Sequence, residues 1–155
     1  MPYRVYLVED HSALREAYTE LIGTSGDLVV VGAAGSAEAA ILDLNGTEAD
    51  VALVDVSLGD PGARMHGIHL VGQLHRLWPR LRVLVVSSHD EALYAERALT
   101  AGARGYLMKH EAGPQLIAAI HRVLHGEVVL SDLMQASLPP ALCSSIDALH
   151  ADPAT

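Results

Sequence analysis

The chain has 155 residues, half of them hydrophobic, and a formal net charge of −9. That length fits one compact domain with a real core. The acidic balance argues against direct nucleic-acid binding, and the longest apolar runs fall well short of the roughly 20 residues that a membrane helix needs. A single cysteine, Cys143, excludes an internal disulfide, and no charged-then-apolar leader opens the chain, so we expect a cytoplasmic protein.

Strand-like and helix-like segments alternate along the chain. The first predicted helix has apolar Leu14, Tyr18, Leu21 and Ile22 on one face, and Ser36 is a suitable N-cap for the second. Because each strand is apolar almost throughout, we expect an α/β fold, a doubly wound five-stranded parallel sheet with five helices on its two faces. The predicted strands span residues 3–9, 28–33, 51–56, 82–87 and 105–109, and the predicted helices span 10–25, 36–44, 67–77, 90–101 and 114–125.

Polar side chains stand at the ends of four predicted strands. Glu9 and Asp10 follow the first strand, and Asp55 lies near the end of the third. Ser87 ends the fourth strand, and Lys109, the only lysine, closes the fifth. Because the carboxyl ends of parallel strands meet at the same end of a sheet, we expect these residues to share one pocket.

The residue types in this pocket suit phosphoryl transfer to a carboxylate. Such a transfer needs a nucleophile, a divalent cation and a fixed positive charge, and Asp55 is the predicted nucleophile. Glu9 and Asp10 would repel Asp55, and a hard cation with oxygen ligands, Mg²⁺, would relieve that repulsion. Lys109 would pair with the phosphoryl oxygens, and the Ser87 hydroxyl would hydrogen-bond one of them.

Four motifs stand in a fixed order along the chain, namely Glu9-Asp10-His11, Asp55, the segment 87–91 and the segment 102–109. Together they resemble the receiver domains of two-component response regulators, most closely those of the NarL/FixJ subgroup. The similarity spans roughly residues 3–126 and implies a flavodoxin-like fold. It also implies a phosphoacceptor signalling domain rather than an enzyme, with at most self-phosphorylation from small donors and autodephosphorylation.

The resemblance assigns further roles. A sensor histidine kinase would donate the phosphoryl group, and the backbone carbonyl of Ser57 would be another Mg²⁺ ligand. Movement of Ser87 toward the phosphoryl group would leave space into which Tyr106 rotates. The changed face of helix four, strand five and helix five would then be read by a partner or by a second copy in a homodimer, and the signal would pass to transcription.

The loop after Asp55 departs from the family pattern, since it carries about four additional residues. A tolerated surface insertion is the simpler interpretation. The functional hypothesis is that Asp60, Arg64 or His66 overhangs the pocket and changes the phosphoryl lifetime or the choice of kinase. His89, just after Ser87, is a fourth candidate modulator.

The end of the chain departs from the pattern as well. We assign residues 1–127 to the receiver domain and 128–155 to a linker or C-terminal tail, in which Pro139-Pro140 indicates irregular structure. Regulators of this subgroup usually continue into a helix-turn-helix output domain. No basic recognition helix is visible here, so we expect DNA contact only if an output domain follows, and no membrane contact.

Two alternative functions remain open. One is a pseudo-receiver, an interaction module that works without phosphorylation. The other is an aspartate-nucleophile phosphatase, but such enzymes carry the nucleophile on the first strand and a second aspartate two residues later. Here Asp55 is on the third strand and is followed two positions on by Ser57. Acetyl phosphate with Mg²⁺ should modify Asp55 only in a competent receiver.

Overall fold

A computed structural model describes residues 2–56, 61–87 and 92–130, without the side chains of residues 61–66, 92, 93, 110–112 and 114. Within those residues, strands and helices alternate and every strand pairing is parallel. The strands are β1 (Tyr3–Val8), β2 (Leu28–Ala34), β3 (Val51–Val56), β4 (Arg82–Ser87), β5 (Gly105–Met108) and β6 (Val129–Leu130). The helices are α1 (Ser12–Gly23), α2 (Ala37–Leu44), α3 (Pro61–Leu77), α4 (Ala92–Ala101) and α5 (Lys109–Leu124).

The strand order is β2-β1-β3-β4-β5-β6, which confirms the predicted doubly wound parallel sheet. The predicted count of five strands is corrected to six among the described residues, because the two-residue β6 pairs with the edge of β5. β2 and β3 flank β1 on opposite sides, so the order in which strands are added to the sheet reverses at β1. Ligand crevices in such sheets open at this reversal, beyond the carboxyl ends of the strands.

Two helices begin earlier than predicted. α3 begins at Pro61 rather than at Gly67, because proline suits the first helical position and the inserted residues continue into the helix. α5 begins at Lys109 rather than at Pro114, since a proline near the start removes one backbone hydrogen bond without ending the helix. The predicted N-cap of α2 is confirmed, with Ser36 Oγ accepting from the Ala39 N–H at 3.2 Å.

The core has two layers, one on each face of the sheet. Val5 and Leu7 of β1 pack with α1 and α5, whereas Tyr6 and Val8 pack with α2, α3 and α4. This alternation follows from the two-residue period of a strand, and it decides on which face each residue at the strand ends lies. No helix in the described part of the chain is long and apolar enough to cross a membrane.

Candidate functional site

Strand alternation brings three of the predicted charged residues to the same face. Glu9, Asp55 and Lys109 continue the α1 and α5 side of β1, β3 and β5. The Lys109 Nζ lies 3.3 Å from Asp55 Oδ1, although the two residues are 54 positions apart in the chain. The fold thus assembles an acid pair with one amine beyond the carboxyl ends of the strands.

The Asp55 carboxylate is buried, with 1% of its side chain exposed. Its Oδ2 accepts a 2.9 Å hydrogen bond from the hydroxyl of Tyr18. Its Oδ1 is at ion-pair distance from Lys109 but receives no hydrogen bond of acceptable geometry. The two oxygens of this carboxylate therefore have different surroundings.

The Glu9 carboxylate is equally buried, and only one of its two oxygens accepts a hydrogen bond. Its Oε1 accepts the backbone N–H of His11 at 3.0 Å, whereas Oε2 has no hydrogen-bond partner. Burial, followed by the neighbouring Asp55 carboxylate, raises the pKa of Glu9 to about 7. A buried carboxylate with an orphaned oxygen beside a second carboxylate is an unfavourable arrangement unless a cation joins it.

Asp10 and His11 extend the acidic cluster toward solvent. The His11 Nδ1 lies 2.9 Å from Asp10 Oδ1 and 3.1 Å from Glu9 Oε1, and the hydrogen bond with Glu9 is the main reason that the His11 pKa is raised. Potential ligand atoms of Glu9, Asp10 and His11 lie within 4.8 Å of one another. With Asp55, the two acids line a cavity of about 580 Å³, whose other wall includes His69 of α3.

This donor set fits a hard divalent cation. Carboxylate oxygens are the ligands that such ions prefer, and Glu9 Oε2 is buried without a hydrogen bond. The cavity beside them leaves room for water ligands and for an incoming phosphate.

Ser87 and Tyr106 lie on the opposite face of the sheet. Both are 2% exposed, and together with Val56, Tyr94 and Ala98 they line a cavity of about 10 Å³. Ser87 is level with Val56 in the pairing of β3 and β4, one residue beyond Asp55. The structure therefore groups Ser87 with Tyr106, and the phosphoryl contact predicted for Ser87 stays a prediction.

Several predicted site residues cannot be placed. Ser57, Asp60 and His89 lie outside the described residues, and Arg64 and His66 belong to α3 but have side chains outside the description. Their predicted roles stay predictions.

Sequence reasoning missed the contact between Tyr18 and Asp55. The helical period correctly predicted that Tyr18 faces the core, where it is buried. The signal that could have identified it is the hydroxyl itself, since a buried phenol needs a hydrogen-bond partner. The pattern does not say which acceptor it meets.

Comparison with known proteins identifies the family. The model of the response regulator receiver domain matches residues 5–121. The chain belongs to that family. The receiver is 36% identical over 127 residues to the transcriptional regulatory protein UhpA of Salmonella typhimurium, covering 82% of this chain and 61% of UhpA. It is 34% identical over 152 residues to the nitrate/nitrite response regulator protein NarL of Escherichia coli, covering 97% and 66%.

A solved structure agrees on the fold. The isolated receiver domain of RcsB from Salmonella enterica serovar Typhimurium superposes with a TM-score of 0.78 at 19% identity, covering 87% of this chain and 97% of that one. The relatives confirm the predicted NarL/FixJ resemblance, and this receiver is a signalling domain of the NarL and UhpA type. The chain spans about three fifths of the length of UhpA and about two thirds of that of NarL.

Proposed function

We propose that this receiver accepts a phosphoryl group from a sensor histidine kinase onto Asp55, with Mg²⁺ bound. The observation that carries the proposal is the buried Asp55 carboxylate, whose Oδ1 faces the Lys109 amine at 3.3 Å without a hydrogen bond. A nucleophile needs a free lone pair, and the transferred group needs a nearby positive charge. Both conditions are met at this oxygen.

The transfer follows from the surroundings of Asp55. A lone pair of the carboxylate forms the new O–P bond as the bond between phosphorus and the kinase imidazole nitrogen breaks, and that nitrogen keeps the electron pair. Lys109 offsets the charge on the phosphoryl oxygens. Glu9, Asp10, Asp55 and the Ser57 backbone carbonyl would hold Mg²⁺, which when bound supplies the remaining positive charge.

The signal would leave the site through the opposite face of the sheet. Ser87 and Tyr106 share the small cavity beneath α4, which supports the hypothesis that a shift of Ser87 changes the space open to Tyr106. Rotation of Tyr106 would then alter the face formed by α4, β5 and α5, where a partner or a second copy binds. We therefore propose that the domain is not an enzyme. The reactions it would catalyse on itself are at most phosphorylation from small donors and autodephosphorylation.

For the domain boundaries, the output domain and the location, the proposal rests on the resemblance to the family. We assign residues 1–127 to the receiver and 128–155 to a linker or tail, near whose start Val129 and Leu130 pair with the receiver sheet as β6. In a full-length regulator of the UhpA type, an output domain would contact DNA. We propose a cytoplasmic location for the whole. If Asp60, Arg64 or His66 tunes the site, deletion of residues 60–63 will change the dephosphorylation rate or the kinase preference, and unchanged values will refute the role of this segment.

Mg²⁺-dependent modification at Asp55 tests the proposal. The chain is incubated with acetyl phosphate and Mg²⁺, the acyl phosphate is reduced with borohydride, and the modified peptide is sequenced by mass spectrometry. We expect modification at Asp55 that disappears when a chelator replaces Mg²⁺. Modification elsewhere, or to the same extent with chelator, would refute the assignment, and no modification would favour the pseudo-receiver.

A further inference from the structure

Tyr18 of α1 hydrogen-bonds the proposed phosphoacceptor, Asp55, from the side of the sheet that α1 and α5 cover. Its hydroxyl donates to Asp55 Oδ2 at 2.9 Å, and its ring is buried in the layer between the sheet and the helices α1 and α5. Lys109 approaches the other oxygen, Oδ1. The carboxylate is therefore held between a neutral donor on one oxygen and a cation on the other.

We propose that Tyr18 is a positioning residue that directs phosphorylation to Oδ1 of Asp55 and shortens the lifetime of the phosphorylated state. This inference rests on the proposed function, because it assumes that Asp55 is the phosphoacceptor.

Which Asp55 oxygen attacks phosphorus depends on which one has lone pairs free of hydrogen bonds. A hydrogen bond from Tyr18 draws electron density from Oδ2 and makes that oxygen the poorer nucleophile, whereas Oδ1 has no hydrogen bond and faces Lys109. In the acyl phosphate, Oδ1 becomes the bridging oxygen and Oδ2 the carbonyl oxygen. A carbonyl oxygen still accepts a hydrogen bond, so the contact with Tyr18 persists in both states.

The lifetime of the acyl phosphate depends on how much negative charge the Asp55 carboxyl group carries before hydrolysis and in its transition state. In hydrolysis, a water oxygen bonds to phosphorus, the P–Oδ1 bond breaks with its electron pair going to Oδ1, and the water protons pass to phosphate and solvent. The departing carboxylate carries most of its charge already in a loose transition state. A hydrogen bond to a charged acceptor is stronger than one to a neutral carbonyl, so Tyr18 stabilises this transition state more than the acyl phosphate.

Phosphorylation responds differently. Before transfer and at a loose transition state the carboxylate is largely charged, so the hydrogen bond from Tyr18 stabilises both to a similar degree. Loss of the hydroxyl should therefore change the rate of hydrolysis much more than the rate of phosphorylation. A general disturbance of the fold would not separate the two rates in this way.

Tyr18→Phe tests the inference, with Tyr6→Phe as the matched control. Tyr6 is also a buried phenol, but its hydroxyl donates to Asp43 at 2.7 Å, on the other face of the sheet. Each protein is phosphorylated with acetyl phosphate and Mg²⁺, the donor is removed, and the phosphorylated fraction is followed by intact mass. We expect Tyr18→Phe to slow hydrolysis about tenfold and to change phosphorylation less than about threefold. Tyr6→Phe should match the wild type in both rates.

The outcomes separate the inference from the proposed function. Hydrolysis in Tyr18→Phe at the wild-type rate, or equal changes in both rates, would overturn the role of Tyr18 and leave the phosphoacceptor intact. A wild-type chain that takes no phosphate would overturn the proposed function and this inference with it.

An infrared measurement provides a second test that does not depend on rates. The carbonyl stretch of the aspartyl phosphate reports hydrogen bonding to Oδ2, and it should move to higher frequency in Tyr18→Phe and not in Tyr6→Phe. An unchanged band would show that the hydroxyl does not contact the acyl carbonyl, and would overturn the proposal.

Discussion

Glu9 shows how one side chain couples the stability of this domain to its chemistry. Its pKa is about 7 in the folded chain, because of burial and the nearby Asp55, against 4.5 for an ordinary glutamate. Between these values the folded state binds more protons than the unfolded state, so the free energy of unfolding of the metal-free protein falls as pH rises from 4.5 to about 7. Above pH 7 the Glu9 carboxylate is mostly ionised, which favours binding of a cation at this site.

Replacement of Glu9 by glutamine should therefore stabilise the metal-free domain. We expect the unfolding free energy of Glu9→Gln at pH 8 to exceed that of the wild type by about 1–3 kcal/mol, because glutamine fits the space without the buried charge. Mg²⁺ affinity should fall at least about tenfold. Urea unfolding and a Mg²⁺ titration measure the two effects, with the exposed Glu20→Gln as control. Lower stability of Glu9→Gln at pH 8 would contradict the account.

Lys109 should matter most for the rate of phosphorylation. It is the cation next to Asp55 Oδ1, at 3.3 Å. Its loss removes fixed positive charge from the transferred group, and we expect Lys109→Ala to react with acetyl phosphate about 10- to 100-fold more slowly at saturating Mg²⁺. Lys109→Arg keeps the charge and should recover part of the rate. Equal rates for the wild type and Lys109→Ala would exclude a role of Lys109 in phosphoryl transfer.

At the scale of elements, the turn between α4 and β5 depends on a glycine. Gly102 has φ of +126°, and a Cβ at this position would lie 2.5 Å from Cγ of His75 on α3. The turn thus combines a backbone conformation that favours glycine with close packing against a neighbouring helix. It leads directly into β5 and hence to Lys109.

Gly102→Ala should destabilise the domain more than a matched change elsewhere. Gly126 also has positive φ, +89°, but a Cβ there would meet nothing within 4 Å. We expect Gly102→Ala to lower the unfolding free energy by about 2–4 kcal/mol and Gly126→Ala by about 1–2 kcal/mol. Urea unfolding of both variants measures the difference. Equal losses would mean that the contact with His75 adds nothing to the backbone strain.

Prediction from sequence succeeded for elements whose signal is local. The bounds of β3 and β4 are as predicted because each strand is built on a run of four apolar residues, 51–54 and 83–86. The starts of α3 and α5 were wrong because glycine and proline suggested helix boundaries where the helices continue. Both α3 and α5 begin closer in sequence to the preceding strand than local propensity indicated.

At the scale of the molecule, the site is a product of topology. The strand order brings Glu9, Asp55 and Lys109 together, and this much follows from the rule for parallel sheets. The hydrogen bond from Tyr18 does not follow from any pattern, since it depends on how deeply α1 packs against β3. Sequence could therefore indicate the charged cluster but not its neutral donor.

Because the cluster exists only in the folded chain, Mg²⁺ should stabilise the whole domain. At a Mg²⁺ concentration about tenfold above its Kd, the unfolding free energy should rise by about 1.4 kcal/mol. Thermal unfolding at constant ionic strength measures this shift, and it should be absent in Asp10→Asn, which removes one of the acids. An equal shift in that variant would mean that Mg²⁺ acts elsewhere.

Phosphorylation of Asp55 is the central claim, and intact-mass spectrometry tests it most directly. The wild type and Asp55→Asn are treated in parallel with acetyl phosphate and Mg²⁺. We predict one phosphate adduct on the wild type and none on the variant, because the amide has no nucleophilic carboxylate oxygen. An adduct of equal amount on Asp55→Asn, or no adduct on the wild type, would contradict the account.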